Sequence, residues 1–291
     1  PEEAVRLVER HQASACNGAT PFLKGLLDAA QAAGKHLPSL TNGGYGGAAV
    51  PPELLYQACA WFPNLVTFRI YGCTECPTAT GRIATRAELD HGCRTDGLIR
   101  HTEIRLADPV TGAPAAPGAE GEILLRGATM MLGYLRPEDN AGAFDAEGFF
   151  RSGDLGRIVD GHYLVVTGRK KDLIIRNGEN LSPQEIEDAL FAHPGIDAVA
   201  VVGMPSAKTG EAVCAFVVPK PGHTIDLPDI ARHLVAQGLA RQKIPEHLEL
   251  VERLPTSPQG KVLKTELRET ARRLAASPAG GESTSALLNL N

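Results

Sequence analysis

Leu65-Val66-Thr67-Phe68-Arg69-Ile70-Tyr71-Gly72-Cys73-Thr74-Glu75 is the stretch on which the fold turns. Leu65 to Ile70 is a short apolar run that predicts a buried strand, and it breaks at Gly72 into a segment rich in chemistry. In an open α/β sheet the carboxyl end of a parallel strand opens onto the ligand crevice. An aromatic, a hydroxyl and a carboxylate placed there can stack on a base, bond a phosphate and hold Mg²⁺. Taken alone, the same residues also describe an ordinary strand-to-loop turn.

Outward from this strand, the preceding segment alternates helical patterns with short apolar runs. Pro1-Glu2-Glu3 opens a helix, and Phe22 to Ala33 carries Phe22, Leu23, Leu26, Leu27 and Ala30 at helical spacing. Pro51-Pro52-Glu53 opens another, with Leu54, Leu55, Ala58, Cys59 and Phe62 on one face. This patterning predicts the edge of a doubly wound sheet whose other strands lie upstream. The sequence runs from Pro1 straight into an amphipathic pattern (Val5, Leu7, Val8), so the chain is expected to be the interior of a longer one.

Downstream the texture changes to short strands and turns: Leu98 to Leu106, Gly121 to Arg126, Gly156 to Val159 and His162 to Thr167, with Asp160-Gly161 as a two-residue hairpin signal. A small antiparallel sheet or barrel is expected. Beyond Arg169 the pattern reads strand Asp172 to Arg176, helix Pro183 to Ala192, strands Ala198 to Met204 and Ala212 to Pro219, helix Pro228 to Gln237, and strand His247 to Glu252. That order is βαββαβ, the ferredoxin-like split arrangement. Ser182, Pro183 and Glu185 predict a capping box on its first helix. A last helix, Thr265 to Leu274, leads into a Ser/Pro/Gly-rich tail expected to be disordered. The expected fold class is therefore α/β followed by α+β. Its divisions are the C-terminal part of a large α/β domain (1–97), a β-barrel-like subdomain (98–170), a ferredoxin-like C-terminal domain (171–274) and a tail (275–291).

The 291 residues are 43% hydrophobic and 22% charged, with 31 Gly and 21 Pro, which excludes collagen-like and disordered classes. Six Cys over this length exclude a disulfide scaffold. Lys+Arg 29 against Asp+Glu 34 gives a net charge of −5 without a basic block, so no nucleic-acid partner is expected. The apolar runs Ala198 to Met204 and Ala212 to Pro219 fall far short of the roughly 20 residues of a membrane span. No signal-peptide pattern is read, and a cytoplasmic protein is expected.

Other motifs are weaker one by one. Arg151-Ser152-Gly153-Asp154 sets a carboxylate after a Gly turn, suited to two ribose hydroxyls or to turn chemistry alone. Gly168-Arg169-Lys170-Lys171-Asp172 lies where a hinge is expected, or is a solvated basic linker. Pro255 to Lys261 is a turn-rich loop whose Lys can deliver an ammonium to a phosphate, or is a plain surface lysine. Cys73, Cys76, His91 and Cys93 invite a zinc reading, but H-x-C is not a common zinc half-site and free thiols in a reducing compartment are preferred.

In their order and spacing these motifs resemble the AMP-forming adenylating superfamily of acyl-CoA synthetases, peptide-synthetase adenylation domains and luciferases. The resemblance runs from Asn17-Gly18-Ala19-Thr20-Pro21 through Gly46-Gly47-Ala48, Tyr71 to Glu75, Gly121 to Gly127, Arg151 to Asp154, Gly168 to Asp172 and Gly178 to Glu187, and on to Gly260-Lys261. Arg169 to Glu187 is most similar to bacterial acid:CoA ligases of fatty, aromatic or alicyclic acids. Gly238 to Glu246 looks like the cyclohexanecarboxylate and medium-chain group.

The resemblance implies ATP, Mg²⁺ and coenzyme A as co-substrates and a small carboxylic acid as partner; a homodimer is left open. It implies that Gly46, Gly47 and Ala48 lie beside adenine and the acyl pocket, and that Tyr71, next to Gly72, stacks on adenine. Thr74 would bond the α-phosphate, Glu75 bind Mg²⁺, and Asp154 accept the ribose hydroxyls with Arg169 assisting. Lys171 would be the hinge, Gly178 the glycine that lets pantetheine pass, and Lys261 the lysine bridging carboxylate and α-phosphate. In the family a Ser/Thr/Gly-rich phosphate loop ending in Lys-Gly precedes this region; Gly43-Gly44-Tyr45-Gly46-Gly47 does not replace it, so little adenylation by the chain alone is expected. Asn177 stands where Gly is common and Ser152 where Thr is usual. The rival expectations are transfer to a carrier-protein thiol, a truncated non-catalytic AMP-binding module, and a zinc-stabilised interaction module.

Overall fold

The computed structural model describes residues 1–47, 50–83, 85–257 and 260–276. The chain divides into two compact units, Pro1–Lys170 and Lys171–Asn291. Each is described by itself.

The first unit opens with helices α1 (Glu2–His11) and α2 (Thr20–Ala32), strand β1 (Asn42–Tyr45), helix α3 (Pro52–Trp61) and strand β2 (Val66–Arg69). Pro52 at the start of α3 fills a position whose N–H has no helical partner, and Leu54, Leu55, Ala58 and Cys59 are the buried stripe behind it. On α2 the buried stripe is Leu23, Leu26, Leu27 and Ala30, whereas Phe22, expected with them, is 45% exposed. The α3 crossover makes β1 and β2 parallel, in register from Asn42↔Val66 to Tyr45↔Arg69. Ala15 and Gly18 bridge in parallel to Asn42 and Tyr45 and extend this sheet by an irregular edge. A short helix, α4 (Leu89–Arg94), lies against β2 and had no signal in the sequence pattern. Its Gly92 explains the fit: a Cβ there would stand 2.6 Å from the Thr67 carbonyl oxygen.

The β-rich part is a meander of β3 (Thr102–Ala107), β4 (Gly121–Gly127), β5 (Phe150–Val159) and β6 (Tyr163–Arg169), antiparallel in that order. β3 and β6 do not pair with each other within this four-stranded sheet, but the segment just before β3 hydrogen-bonds to β6, with Asp96 N–H donating to the Leu164 carbonyl (2.6 Å), Leu164 N–H to that of Gly97 (3.0 Å) and Ile99 N–H to that of His162 (2.8 Å). Leu98, expected to start β3, is instead bridged to Gly81 and Tyr163. Asp160 and Gly161 close the β5–β6 connection with φ values of 51° and 77°, the left-handed pair that such a turn requires.

The second unit contains β7 (Ile174–Arg176), β8 (Glu179–Leu181), α5 (Pro183–Phe191), β9 (Ile196–Ser206), β10 (Gly210–Pro219), α6 (Leu227–Ala236), β11 (His247–Leu250) and α7 (Lys264–Ala276). Alternation along β9 and β10 sorts their side chains into two cores. Val201, Val213, Ala215 and Val217 pack with Ile186 and Leu190 of α5 and Ile230 and Leu234 of α6. Ala200, Val202, Met204, Cys214 and Phe216 pack with Leu267 and Ala271 of α7.

The ferredoxin-like arrangement is not what the strands form. β11 pairs in parallel directly with β10, from Cys214↔His247 to Val217↔Leu250, and β7 reaches β10 only at Gly210↔Arg176. Asn177-Gly178 folds β7 back on itself after three residues, too soon for it to run along β10, and creates β8. The capping box is also absent in its expected form, since Glu185 directs both carboxylate oxygens to Lys243 Nζ at 2.6 Å. The last helix continues to Ala276, and the rest of the tail, 277–291, lies outside the described residues.

Candidate nucleotide site

Two strand ends start the site. After β1, Gly46 N–H donates to the Gly18 carbonyl (3.2 Å), and Ile70 N–H after β2 donates to the Tyr45 carbonyl (3.0 Å). A Cβ on Gly46 would stand 2.5 Å from the Ile70 carbonyl oxygen, so only glycine allows this approach. Gly47 follows with φ 79°; Ala48 lies outside the described residues.

The segment after β2 is held by its own backbone. Thr80 Oγ1 accepts from Tyr71 N–H (2.8 Å), and the Tyr71 carbonyl accepts from the N–H groups of Ala79 and Thr80, each at 3.1 Å. Cys73 and Cys76 exchange main-chain hydrogen bonds of 3.0 and 3.1 Å, which leaves Thr74 and Glu75 as the tip of a tight turn. Gly72 makes that turn fit, because a Cβ would come within 2.4 Å of the Pro77 carbonyl oxygen. Thr74 is exposed and Glu75 half-buried.

Asp154 arrives from the β-sheet through a bulge. Arg151-Ser152-Gly153-Asp154 is not a turn after all but lies inside β5, where the register with β4 shifts between Glu122↔Leu155 and Leu124↔Arg151. Gly153 takes φ 71°, and Ser152 Oγ donates to the Ile123 carbonyl (2.7 Å) in place of a ladder bond. The carboxylate of Asp154, 5% exposed as a residue, then accepts from Tyr71 Oη (2.7 Å) on Oδ2 and from Arg169 Nε (2.8 Å) on Oδ1. Arg169 is its register neighbour on β6.

Burial, reinforced by the Asp154 charge, pushes the Tyr71 phenol far above its ordinary range. Glu75 goes the other way. Burial alone would raise it, but the Tyr134 hydroxyl, its own backbone N–H, the Cys73 thiol and the Arg169 charge hold it below the usual carboxylate value. The first unit thus brings Tyr71, Glu75, Asp154 and Arg169 together, with one ionised carboxylate left partly accessible.

The sequence profile of the AMP-binding enzyme matches residues 1–135, and that of the AMP-binding enzyme C-terminal domain matches 185–261. The chain belongs to the AMP-forming adenylating superfamily. A medium-chain fatty-acid–CoA ligase of Escherichia coli K12 is 35% identical over 277 residues, covering 94% of this chain and 48% of that protein. A 2,3-dihydroxybenzoate-AMP ligase of Bacillus subtilis 168 is 32% identical over 270 residues, 92% of this chain and 50% of that protein. The ATP-bound crystal structure of MatB from Rhodopseudomonas palustris superposes with a TM-score of 0.82 at 31% identity, covering 94% of this chain and 54% of that one. The chain spans about half the length of the curated relatives it matches.

The remaining residues expected of this superfamily lie in the second unit. Lys171 is exposed in a single 3₁₀ turn, and Gly178 is exposed with φ 81°. Lys261 is exposed in a turn in which Ser257 N–H donates to the Lys261 carbonyl (2.8 Å) and Lys261 N–H to Ser257 Oγ (3.3 Å). The zinc quartet is dispersed: His91 pairs with Asp160 and stacks on Tyr163, Cys93 contacts Thr67, and all six thiols are free. Among the described residues no cluster of His, Cys, Asp and Glu suits a metal ion, and no helix is long and apolar enough to cross a membrane.

Sequence reasoning missed Tyr134, whose hydroxyl donates to Glu75 Oε1 at 2.8 Å from 59 positions away. No local pattern marks it; an aromatic after a Gly in a loop is common. It also missed Thr80, which sets the Tyr71 backbone.

Proposed function

We propose that the chain is part of an ATP-dependent ligase that converts a carboxylic acid to its acyl-adenylate and passes the acyl group to the thiol of coenzyme A. The observation that carries this reading is the Tyr71–Asp154–Arg169 cluster beside Glu75, built at the carboxyl ends of parallel strands. Tyr71 presents a ring for adenine, and Asp154 keeps lone pairs for two ribose hydroxyls beyond those used by Tyr71 and Arg169. Thr74 offers its hydroxyl to the α-phosphate. Glu75 suits Mg²⁺, a hard cation that takes carboxylate oxygen, because it is ionised, half-exposed and at the tip of a rigid turn. When bound, Mg²⁺ supplies positive charge against the phosphoryl oxygens.

Attack of a carboxylate on the α-phosphate brings two anions together, so the chain must counter charge and fix in-line geometry. Lys261 is assigned that ammonium, worth about 3 kcal/mol in a water-poor site. Lys171 is assigned the pivot between the two half-reactions, and the Gly178 turn the passage of pantetheine. The 98–170 segment is a subdomain of the first unit. The substrate assigned is a fatty, alicyclic or aromatic acid; the CoA ligase among the relatives supports the first and the 2,3-dihydroxybenzoate-AMP ligase the last. A second reading passes the adenylate to a carrier-protein thiol; the relative named as an AMP ligase supports the adenylation step that both readings share. Six free thiols support a reducing, cytoplasmic setting.

The test supplies the chain with preformed octanoyl-AMP or benzoyl-AMP and free CoA, and follows AMP release and thioester by mass spectrometry. Thioester without any carrier protein is the expected result. Failure to bind AMP or either adenylate would remove the nucleotide site, and binding without turnover would favour a non-catalytic module. In the complete enzyme, Lys261→Ala should abolish adenylate formation; intact adenylation would remove the role of that lysine.

A further inference from the structure

A second loop reaches Glu75 and grips it twice. Tyr134 Oη donates to Glu75 Oε1 (2.8 Å), and Met131 N–H, three residues earlier, donates to the Glu75 carbonyl oxygen (2.8 Å). Side chain and main chain of one residue are thus held from one short segment. That segment is itself braced. Asn140 Oδ1 accepts from Tyr134 N–H (2.8 Å), while its Nδ2 donates to the carbonyls of Tyr134 (3.0 Å) and Arg136 (3.2 Å).

Gly133, immediately before, has φ 144°, and a Cβ there would stand 3.0 Å from Asn140 Oδ1. The backbone of Tyr134 is therefore set by residues that touch nothing in the nucleotide site. Its ring is not fixed by burial, since the residue is 36% exposed. The contact that orients the phenol is the carboxylate.

We infer that Tyr134 is a positioning residue, which by donating to Oε1, alongside the Cys73 thiol and the N–H of Glu75 itself, fixes the Glu75 carboxylate in the direction in which it would meet a divalent cation. The inference rests on the proposed metal role of Glu75. A single well-held carboxylate would suit Mg²⁺, which keeps several waters and takes one or two carboxylates alongside phosphate oxygens.

The test uses the whole chain with ¹³C-labelled glutamate carboxyls and Mn²⁺ alone as the probe. Tyr134→Phe keeps the ring and deletes only the hydroxyl. The Glu75 carboxyl signal should move at fixed neutral pH as its hydrogen bond is lost, and Mn²⁺ broadening of the Thr74 and Cys73 amides should need about three- to tenfold more metal. The Met131 and Tyr134 amide signals should stay in place. Glu75→Gln is the reference and should abolish the Mn²⁺ effect; if it does not, the metal role falls while the carboxyl signal of the Tyr134→Phe chain still decides Tyr134. An unmoved Glu75 carboxyl signal in Tyr134→Phe overturns the positioning role whatever Glu75 binds. Displaced Met131 and Tyr134 amides would overturn it in favour of a loop brace.

Discussion

Tyr71 Oη and Asp154 Oδ2 lie 2.7 Å apart although 83 positions separate them in the chain. The bond ties the loop after β2 to the bulge of β5, and Arg169 occupies the other carboxylate oxygen at 2.8 Å. Each oxygen therefore carries one donor and can accept another, which is where two ribose hydroxyls enter in the proposed site. Tyr71→Phe keeps the ring face and removes one anchor, so AMP affinity should fall about three- to tenfold. Asp154→Asn removes the charged acceptor and should cost about 1.5–3 kcal/mol of AMP binding. Calorimetry with AMP and with 3′-deoxy-AMP checks this: Asp154→Asn should harm the first more than the second. Equal losses would mean that Asp154 does not meet the ribose.

Gly72 and Gly47 separate two reasons for glycine. At Gly72 a Cβ would meet Pro77 backbone oxygen and carbon at 2.4 and 2.8 Å, and backbone cannot give way cheaply. Gly72→Ala should destabilise the first unit by about 2–4 kcal/mol and displace the Thr74–Glu75 turn. Gly47 has φ 79° and nothing within 4 Å of an added Cβ. Gly47→Ala should therefore cost only about 1–2 kcal/mol, the price of a left-handed alanine. Urea unfolding of the two variants gives the comparison, and similar losses would contradict it.

Much of the architecture was legible where the signal is local. Asp160-Gly161 declared its turn because Asp and Gly tolerate positive φ, and Leu23, Leu26, Leu27 and Ala30 declared their helix face by spacing. The site was legible as motifs but not as geometry. A glycine in a bulge and a glycine in a turn look alike in sequence, so Gly153 concealed the fact that Asp154 sits within a strand. Tyr134 was invisible because what makes it matter, Glu75, is far away in the chain. The sheet order of the second unit is a long-range property: Asn177-Gly178 marks a turn locally, but no local pattern shows that β11 pairs directly with β10.

His193 makes the second unit sensitive to acid. Its Nδ1 accepts from Gly195 N–H (3.1 Å), so the ring is neutral with the proton on Nε2, which faces Asp229 at 3.0 Å. Burial lowers its basicity, opposed by Asp229 and helped by nearby His233 and His223. Because the folded value is depressed below the unfolded value of 6.5, the unfolded chain takes up the proton first. Stability is complete above about pH 6.5 and declines as pH falls toward the folded value. His193→Asn keeps an acceptor for Gly195 and cannot titrate, so the melting temperature of the variant should lose part of its fall as the pH drops below about 6.5. Parallel curves for the two proteins would assign the acid sensitivity elsewhere.

Asn177 and Gly178 form a two-residue connection between paired Arg176 and Glu179, with φ values of 50° and 81°. Both central residues of such a turn need positive φ, and Asn followed by Gly is the pairing that supplies it at least strain. Asn177 also donates its N–H to the Thr209 carbonyl (2.8 Å), which fastens the turn to the β9–β10 connection. Asn177→Gly keeps the conformation and the donor, so stability should change by no more than about 0.5 kcal/mol. Gly178→Ala meets no atom within 4 Å and should cost about 1–2 kcal/mol through backbone strain alone. Asn177→Pro loses the donor and cannot reach positive φ, so about 3 kcal/mol or more is expected. Denaturation midpoints of the three variants should rank in that order. If Asn177→Gly proves as damaging as Asn177→Pro, the Asn side chain has a role in the turn beyond backbone conformation.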